Sequence, residues 1–461
     1  MDSESPAAVP GLPGSPPGGQ HGLALLQKVV DVRAGEMVVL GWAWLYVLAL
    51  MAAYYVIRPI RDTVGVEGGV ENLQWLFTGT LLVMLAINPP YAALVRKLAR
   101  VRFITITYLF FVANLLLFIF LLHGASDAQR IWIGRAFFIW VSVFNLFVVS
   151  VFWALMVDVF NPEQAKRLFG LISAGATVGA IGGSALASGL ARNVEAHWLL
   201  SGSALLLLVA VFSVRRLSQL APQLHKVSAT PDEPEKDLAG REAALEANRP
   251  IGGHIITGLT HTLRSPYLLG ISLYILLYSI TSTFLYFQQA SIVRDYFADR
   301  GARTAFFANV DLAVNLLTLF MQLFLTGRFL RRFGVAIAAA LLPALSVLGF
   351  GVLALLPTVS VLVGVQVLRR VANFALAKPT REVLFTVVSR EDKYKAKSVI
   401  DTIVYRAGDQ AGSWSYAVLG ALGLGTAGVA LAAIPLSVLW VINAVWLGTR
   451  QKQLAAISAS T

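Results

Sequence analysis

Charged residues occur inside stretches of this chain that are apolar enough and long enough to cross a bilayer. Arg135, Asp311, Arg369, Arg370, Asp401, Arg406 and Asp409 all fall in or against apolar runs of about 20 residues, the length that spans a hydrocarbon core. A charge in hydrocarbon costs about 3 kcal/mol or more, so it is kept where it faces a wet cavity or a partner. With 57% hydrophobic residues, 13% charged residues and a mean hydropathy of +0.70, the chain is read as an all-α membrane protein with a polar interior.

Residues 1–20, rich in Pro, Gly and Ser, are expected to be disordered and not a signal peptide, and 1–36 together form a tail and lead-in. Six spans are expected at Met37–Ile57, Asn72–Val95, Phe103–Leu122, Ile131–Val157, Leu168–Leu190 and Trp198–Val214, forming a first bundle over 37–214. Residues 215–265 read as a polar linker, of which Ile251–Leu263 suits a short amphipathic piece along the membrane. A second bundle over 266–447 holds Tyr267–Ala290, Thr304–Leu325, Val335–Leu355, Val359–Val388, Ser398–Leu422 and Thr426–Trp446, and a tail follows over 448–461.

The 37 Lys+Arg against 25 Asp+Glu give a net charge of +12, which basic cytoplasmic loops explain without any nucleic-acid partner. Those loops carry Arg96, Lys97, Arg100 and Arg102, then Arg328, Arg331 and Arg332, then Lys393, Lys395 and Lys397. Both termini and the linker are thereby expected in the cytoplasm. Arg58, Arg61 and Arg294 break this charge rule, which marks them as candidates for function. The absence of cysteine excludes thiolate chemistry, and the six histidines fall in tails, loops or helix ends, so neither metal nor cofactor is expected.

The halves echo one another at a shift of 232–233 residues. Tyr54, Arg61 and Asp62 match Tyr286, Arg294 and Asp295; VRKLAR matches GRFLRR; Gly175 and Gly179 match Gly408 and Gly412. The pattern predicts twelve transmembrane helices in a 6+6 pseudo-twofold parallel repeat, the major facilitator fold, with a site between the halves near mid-membrane.

Gly175, Gly179 and Gly183 share one helix face, as do Gly408 and Gly412, and such faces suit close helix packing. GLGTAG at Gly423–Gly428 lacks the preceding strand of a dinucleotide site, and no Walker sequence occurs. Asp311, Asn315, Thr318 and Gln322 line one face of the eighth span, which suits a cavity wall or interhelical hydrogen bonding. The tenth span carries Arg369, Arg370, Asn373 and then Lys378, Pro379, Arg381 and Glu382; the eleventh carries Asp401, Tyr405, Arg406 and Asp409. Across the expected interior, eight basic side chains outnumber five acidic ones, which favours an anionic ligand, and guanidinium forks suit phosphate or carboxylate.

Several stretches resemble the nucleotide-transporter group of major-facilitator-like proteins, which includes the ATP/ADP translocases of intracellular bacteria and plastids. They are YYVIRPIRDTVG after the first span, NPEQAKRLFGLISAGATVG between the fourth and fifth, RSPYLL into the seventh, and KYKAKSVIDTIVYRAGDQAG into the eleventh. Arg61-Asp62 stands where the translocases have a Lys-Glu pair, and Glu163, Lys166 and Arg167 match the family's E-A-K-R junction with Gln164 inserted. The resemblance implies a twelve-helix carrier of phosphate-bearing solutes in a bacterial inner membrane.

The expectation is a secondary transporter working by alternating access, not an enzyme. Arg58, Arg61, Arg369, Lys378 and Arg381 are expected to bind the anion, with Asp62, Asp311 and Glu382 pairing with those cations or carrying a coupling proton. Arg135, Asn145, Asn315, Arg370, Asp401, Arg406 and Asp409 complete the expected binding set. Glu163, Lys166, Arg167, Arg328, Arg331 and Arg332 are expected to form a cytoplasmic gate, and the carrier is expected to act as a monomer. The alternatives are a proton-coupled exporter of cationic or drug-like solutes, which a surplus of cavity carboxylates favours, and a non-transporting membrane sensor or scaffold.

Overall fold

The computed structural model describes residues 32–33, 36–228, 260, 262–388, 396–397 and 399–460. The first half comprises α1 Met37–Glu67, α2 Leu73–Lys97, α3 Arg100–His123, α4 Asp127–Val159, α5 Pro162–Leu190 and α6 Ala196–Ser228. The second comprises α7 Pro266–Tyr296, α8 Arg300–Phe324, α9 Thr326–Leu355, α10 Val359–Leu384, α11 Ile400–Ala421 and α12 Thr426–Ser460. No strand occurs among the described residues. Eleven of the helices are long and apolar enough to span a bilayer, and the remaining one, α11, carries Asp401, Arg406 and Asp409.

Local sequence sets the helix ends. Asn161 caps α5 by accepting from the Gln164 amide (2.9 Å), the Gln164 side chain accepts from the Asn161 amide (3.1 Å), and Pro162 occupies the first helical position. Gln164 is thus the second half of a capping box. Gly423, with φ +84°, ends α11 in the left-handed conformation that favours glycine, so the GLGTAG run is a helix stop and restart.

The halves pack alike. α1 lies against α5 and α6 as α7 lies against α11 and α12, α3 meets α6 as α9 meets α12, and across the halves α2 meets α11 as α5 meets α8. The glycine faces account for the first of these pairings. A Cβ at Gly179 would lie 2.3 Å from the Leu48 carbonyl oxygen and one at Gly183 2.4 Å from that of Ala52; at Gly408 and Gly412 it would meet Ser279 and Thr283 at 2.6 and 2.9 Å. Backbone contact of this closeness needs a missing side chain on one partner.

Helix ends differ from expectation. α1 continues past Ile57 to Glu67, so Arg58, Arg61 and Asp62 lie within the helix, not in an exit loop. α6 runs to Ser228, into the stretch read as linker, and α12 to Ser460, through the stretch read as a tail. Both extensions are amphipathic or polar, and helix continues where backbone groups have no better partner than their own chain. α10 passes through a π-helical segment at Asn373–Ala377, and α11 begins with another at Ile400–Val404. Residues 251–259 and 261, Lys393 and Lys395 lie outside the described residues, as do the side chains of Glu163, Lys166, Arg96 and Arg100.

Candidate functional site

A cavity of about 460 Å³ opens between the halves, within the roughly 300–1,000 Å³ typical of small-molecule sites. Its walls come from α1, α2 and α4 on one side and α7, α10 and α11 on the other, with Leu342 of α9. Five arginines reach it, namely Arg58, Arg61, Arg369, Arg370 and Arg406, against Asp409 alone among carboxylates. Tyr54, Tyr55, Phe77, Phe138, Tyr278, Tyr286, Phe374 and Tyr405 supply aromatic surface, and Asn145, Gln366, Asn373 and Gln410 supply amides.

Most of the arginines have counter-ions. Asp311 of α8, 2% exposed, holds Arg58 at 3.2 Å and Arg370 at 2.7 Å through the same oxygen, which joins the two halves. Arg61 pairs with Asp62 at 2.6 Å, and the Tyr286 hydroxyl donates to Asp62 from the other half at 3.0 Å. Arg406 pairs with Asp409 at 3.0 Å, and Ser279 also donates to Asp409. Three guanidiniums further lie over aromatic rings, Arg58 over Tyr55, Arg61 over Phe138 and Arg406 over Tyr405, 5.3–5.8 Å from the centroids.

Arg369 differs. It is 4% exposed, lines the cavity, and has no carboxylate within ion-pair distance among the described residues. Its neighbours are neutral: Nε donates to Ser346 Oγ (2.8 Å), Nη1 to the Thr281 carbonyl (3.3 Å) and Nη2 to Thr281 Oγ1 (3.0 Å), with the guanidinium over Phe350. A buried charge without a counter-ion carries a desolvation penalty of several kcal/mol, and an anion entering the cavity relieves it.

The cavity is sealed toward the α1–α2 and α7–α8 connections. Val66, Val70, Leu73, Leu76 and Phe138 of the first half and Phe287, Ala290, Val293 and Phe307 of the second form one apolar core that crosses the interface. Above it, Glu67 faces Arg300 at 2.7 Å and Arg303 at 4.0 Å, Glu71 faces Arg294 at 3.3 Å, and the Thr63 and Thr304 hydroxyls meet at 2.9 Å. Toward the opposite face, which carries the α6–α7 connection and the chain ends, the ion pairs among described residues stay within one half: Arg167 with Glu36 (2.7 Å), Arg381 with Asp401 (3.4 Å), and Lys397 with Glu382.

The structure therefore brings together at one cavity Arg58, Arg61, Asn145, Arg369, Arg370, Arg406 and Asp409, with Asp62 and Asp311 directly behind. It separates the others. Arg135 lies over Trp132 and donates to the Gly68 carbonyl at 3.2 Å, near the sealed end. Asn315 is buried at 7% exposure in α8 without lining the cavity, because its stripe faces α10: Gln322 donates there to the Phe374 carbonyl at 3.2 Å. Lys378 sits over Phe374, while Arg381 and Glu382, beyond the π-helical segment of α10, pair with Asp401, in that of α11, and with Lys397. Arg328 and Arg331 donate to Phe324 and Gly327 of their own turn and Arg332 lies over Phe333, so none crosses to the other half. Arg167 pairs with Glu36, the residue before α1.

Sequence reasoning passed over Glu67, Glu71, Arg300 and Arg303. Arg294 alone signalled this closure, by breaking the loop charge rule. Tyr278, Tyr286 and Gln366 were passed over because tyrosine and glutamine in a span read equally well as packing.

Residues 41–396 match the Major Facilitator Superfamily. The chain belongs to that superfamily. It is a transporter of the major facilitator type, and a multi-pass membrane protein. Among characterised relatives it is 22% identical to ADP,ATP carrier protein 1 of Chlamydia pneumoniae over 455 residues, covering 85% of this chain and 87% of that one. The ADP,ATP carrier protein 1 of Chlamydia trachomatis is likewise 22% identical, covering 85% of this chain and 84% of its own. Solved structures show the same fold. A bacterial homologue of the iron transporter ferroportin in an inward-facing state has TM-score 0.60 at 11% identity, covering 88% of this chain and 99% of that one. The xylose transporter XylE of E. coli in an inward-open conformation has TM-score 0.52 at 12% identity, covering 88% and 95%. For this major facilitator protein, the expectations of twelve helices, of two six-helix halves and of transport are met.

Proposed function

We propose that this major facilitator protein carries a phosphate-bearing anion of nucleotide type by alternating access between the two halves. Arg369 carries the reading: a buried cation at the cavity wall that lacks a carboxylate is suited to a ligand's negative charge. The aromatic walls supply flat apolar surface for a base, and the guanidiniums supply forked donors for phosphate oxygens. Similarity to ADP,ATP carrier proteins over most of the chain supports the same class. A cavity with five arginines and one aspartate on its surface disfavours a cationic cargo.

The closure at the α1–α2 and α7–α8 end suits a carrier open toward the face of its termini. Basic loops on that face argue that it is cytoplasmic, which makes this the inward-open state in a bacterial inner membrane. When the anion enters, it competes with Asp311 for Arg58 and Arg370, and Asp311 is left buried beside fewer cations. Uptake of labelled AMP, ADP and ATP into proteoliposomes, with adenosine as the uncharged control, tests the reading. Uptake of the phosphorylated compounds above the adenosine level is expected; none above that level sinks it.

A further inference from the structure

The charge lining the cavity does not cancel. Arg58, Arg61, Arg369, Arg370 and Arg406 face Asp62, Asp311 and Asp409, and the pairings leave two positive charges over: Arg369, which has no carboxylate, and one of the two arginines that share Asp311. The first lies on α10 at Arg369, and the second on its neighbour Arg370 or on Arg58 across the gap. Two buried atoms without a hydrogen-bond partner, Arg58 Nε and Asp311 Oδ2, lie here too. The ionic layer of Glu67, Glu71 and their arginines lies beyond the apolar seal, and Arg381–Asp401 is a neutral pair that does not line the cavity.

While the cavity is open, water screens this excess. Once the halves close over a ligand and water leaves, charge left over on either side carries the full desolvation penalty. From this balance we infer that the cavity selects a doubly charged anionic head, a phosphate monoester, and discriminates against longer polyphosphate chains; the inference rests on the nucleotide reading above. A phosphate monoester carries about −1.5 to −2 at neutral pH, which matches the excess. Each further phosphate adds negative charge that nothing in the cavity offsets. A phosphodiester, with one charge, leaves a guanidinium uncompensated. Tyr54, Tyr55, Tyr278 and Phe374 line the same cavity and offer flat surface for a base beside the arginines, so a nucleoside monophosphate is the member of the class that suits it.

The test is a thermal-shift titration of the purified full-length protein, in the presence of a chelator, with adenosine, cyclic AMP, AMP, ADP and ATP. Ligands stabilise in proportion to occupancy of the folded state. AMP is expected to half-saturate at a concentration about tenfold below those of both cyclic AMP and ATP. Asp311→Asn raises the excess by one charge and is expected to move the preference to ADP; Arg369→Gln lowers it by one and is expected to move the preference to cyclic AMP. Where a variant does not fold, the ranking by the unaltered protein decides. ATP binding as tightly as AMP, or variants that keep the AMP preference, overturns charge matching and leaves the nucleotide reading standing. Stabilisation by none of the phosphorylated compounds beyond that by adenosine overturns that reading and this inference with it.

Discussion

Replacing Arg369 with glutamine separates a ligand-binding arginine from a structural one, because the two roles give opposite signs for stability. Arg369 donates to Ser346 Oγ, the Thr281 carbonyl and Thr281 Oγ1, yet neither hydroxyl depends on it. Ser346 still donates to the Leu342 carbonyl at 2.9 Å and Thr281 to that of Leu277 at 2.8 Å. The substitution therefore leaves no buried donor orphaned, and it removes a buried charge whose desolvation costs several kcal/mol. The ligand-free variant is expected to melt at the same temperature as the unaltered protein or higher. Binding moves the other way. Hydrogen bonds to a charged group contribute about 1.5–3 kcal/mol, so the AMP dissociation constant is expected to rise roughly 10- to 150-fold. Thermal unfolding with and without AMP, checked by isothermal titration calorimetry, reads both quantities. A variant that melts lower and binds AMP as before would make Arg369 a strut between α7, α9 and α10, and the argument for an anion site would fail.

Helix packing offers a second test. Gly179→Val places a side chain 2.3 Å from the Leu48 backbone and is expected to cost about 1–3 kcal/mol or more, whereas Gly182→Ala, with nothing within 4 Å, should be neutral or slightly stabilising; melting temperatures compare the two. At the sealed end, Glu67→Gln removes the carboxylate that Arg300 and Arg303 share and should increase opening there. The chain has no cysteine, so the labelling rate of a single Val70→Cys reports it; a rate unchanged by Glu67→Gln refutes the role. Before α1, burial pushes the Glu36 carboxyl up, but Arg167, the Arg33 amide and Gln164 outweigh it and hold the group below its ordinary value of 4.5. A lowered folded-state value means stability present above pH 4.5 and lost as pH falls through the folded-state value. The unaltered protein should therefore lose more stability than Glu36→Gln as pH drops below 4.5; parallel acid-melting curves would refute the pair's contribution.

Hydrophobic length and the 232–233-residue echo were enough to expect twelve helices in two related halves, and eleven of them show the length and hydropathy that spanning a bilayer imposes. The glycine rows declared their helix contacts for the same local reason: four-residue spacing puts them on one face whatever lies opposite. Charges inside spans marked Arg369, Arg370, Arg406 and Asp409 as interior groups, since hydrocarbon tolerates them nowhere else, and the loop charge rule marked Arg58 and Arg61. What one-dimensional spacing does not contain is which charge meets which. Lys378, Glu382 and Asp401 looked equivalent to Arg369 along α10 and α11, yet the π-helical segment at Asn373–Ala377 separates Lys378 and Glu382 from Arg369, and Asp401, within the segment at Ile400–Val404, pairs with Arg381. Arg369 and Arg370 are adjacent in sequence, and only the packing of α7, α8 and α9 around α10 gives one a shared aspartate and the other none. Composition decided that ionic groups line an interior; the tertiary arrangement decided which of them cancel, because ion pairing depends on distances of 3–4 Å across helices far apart in the chain.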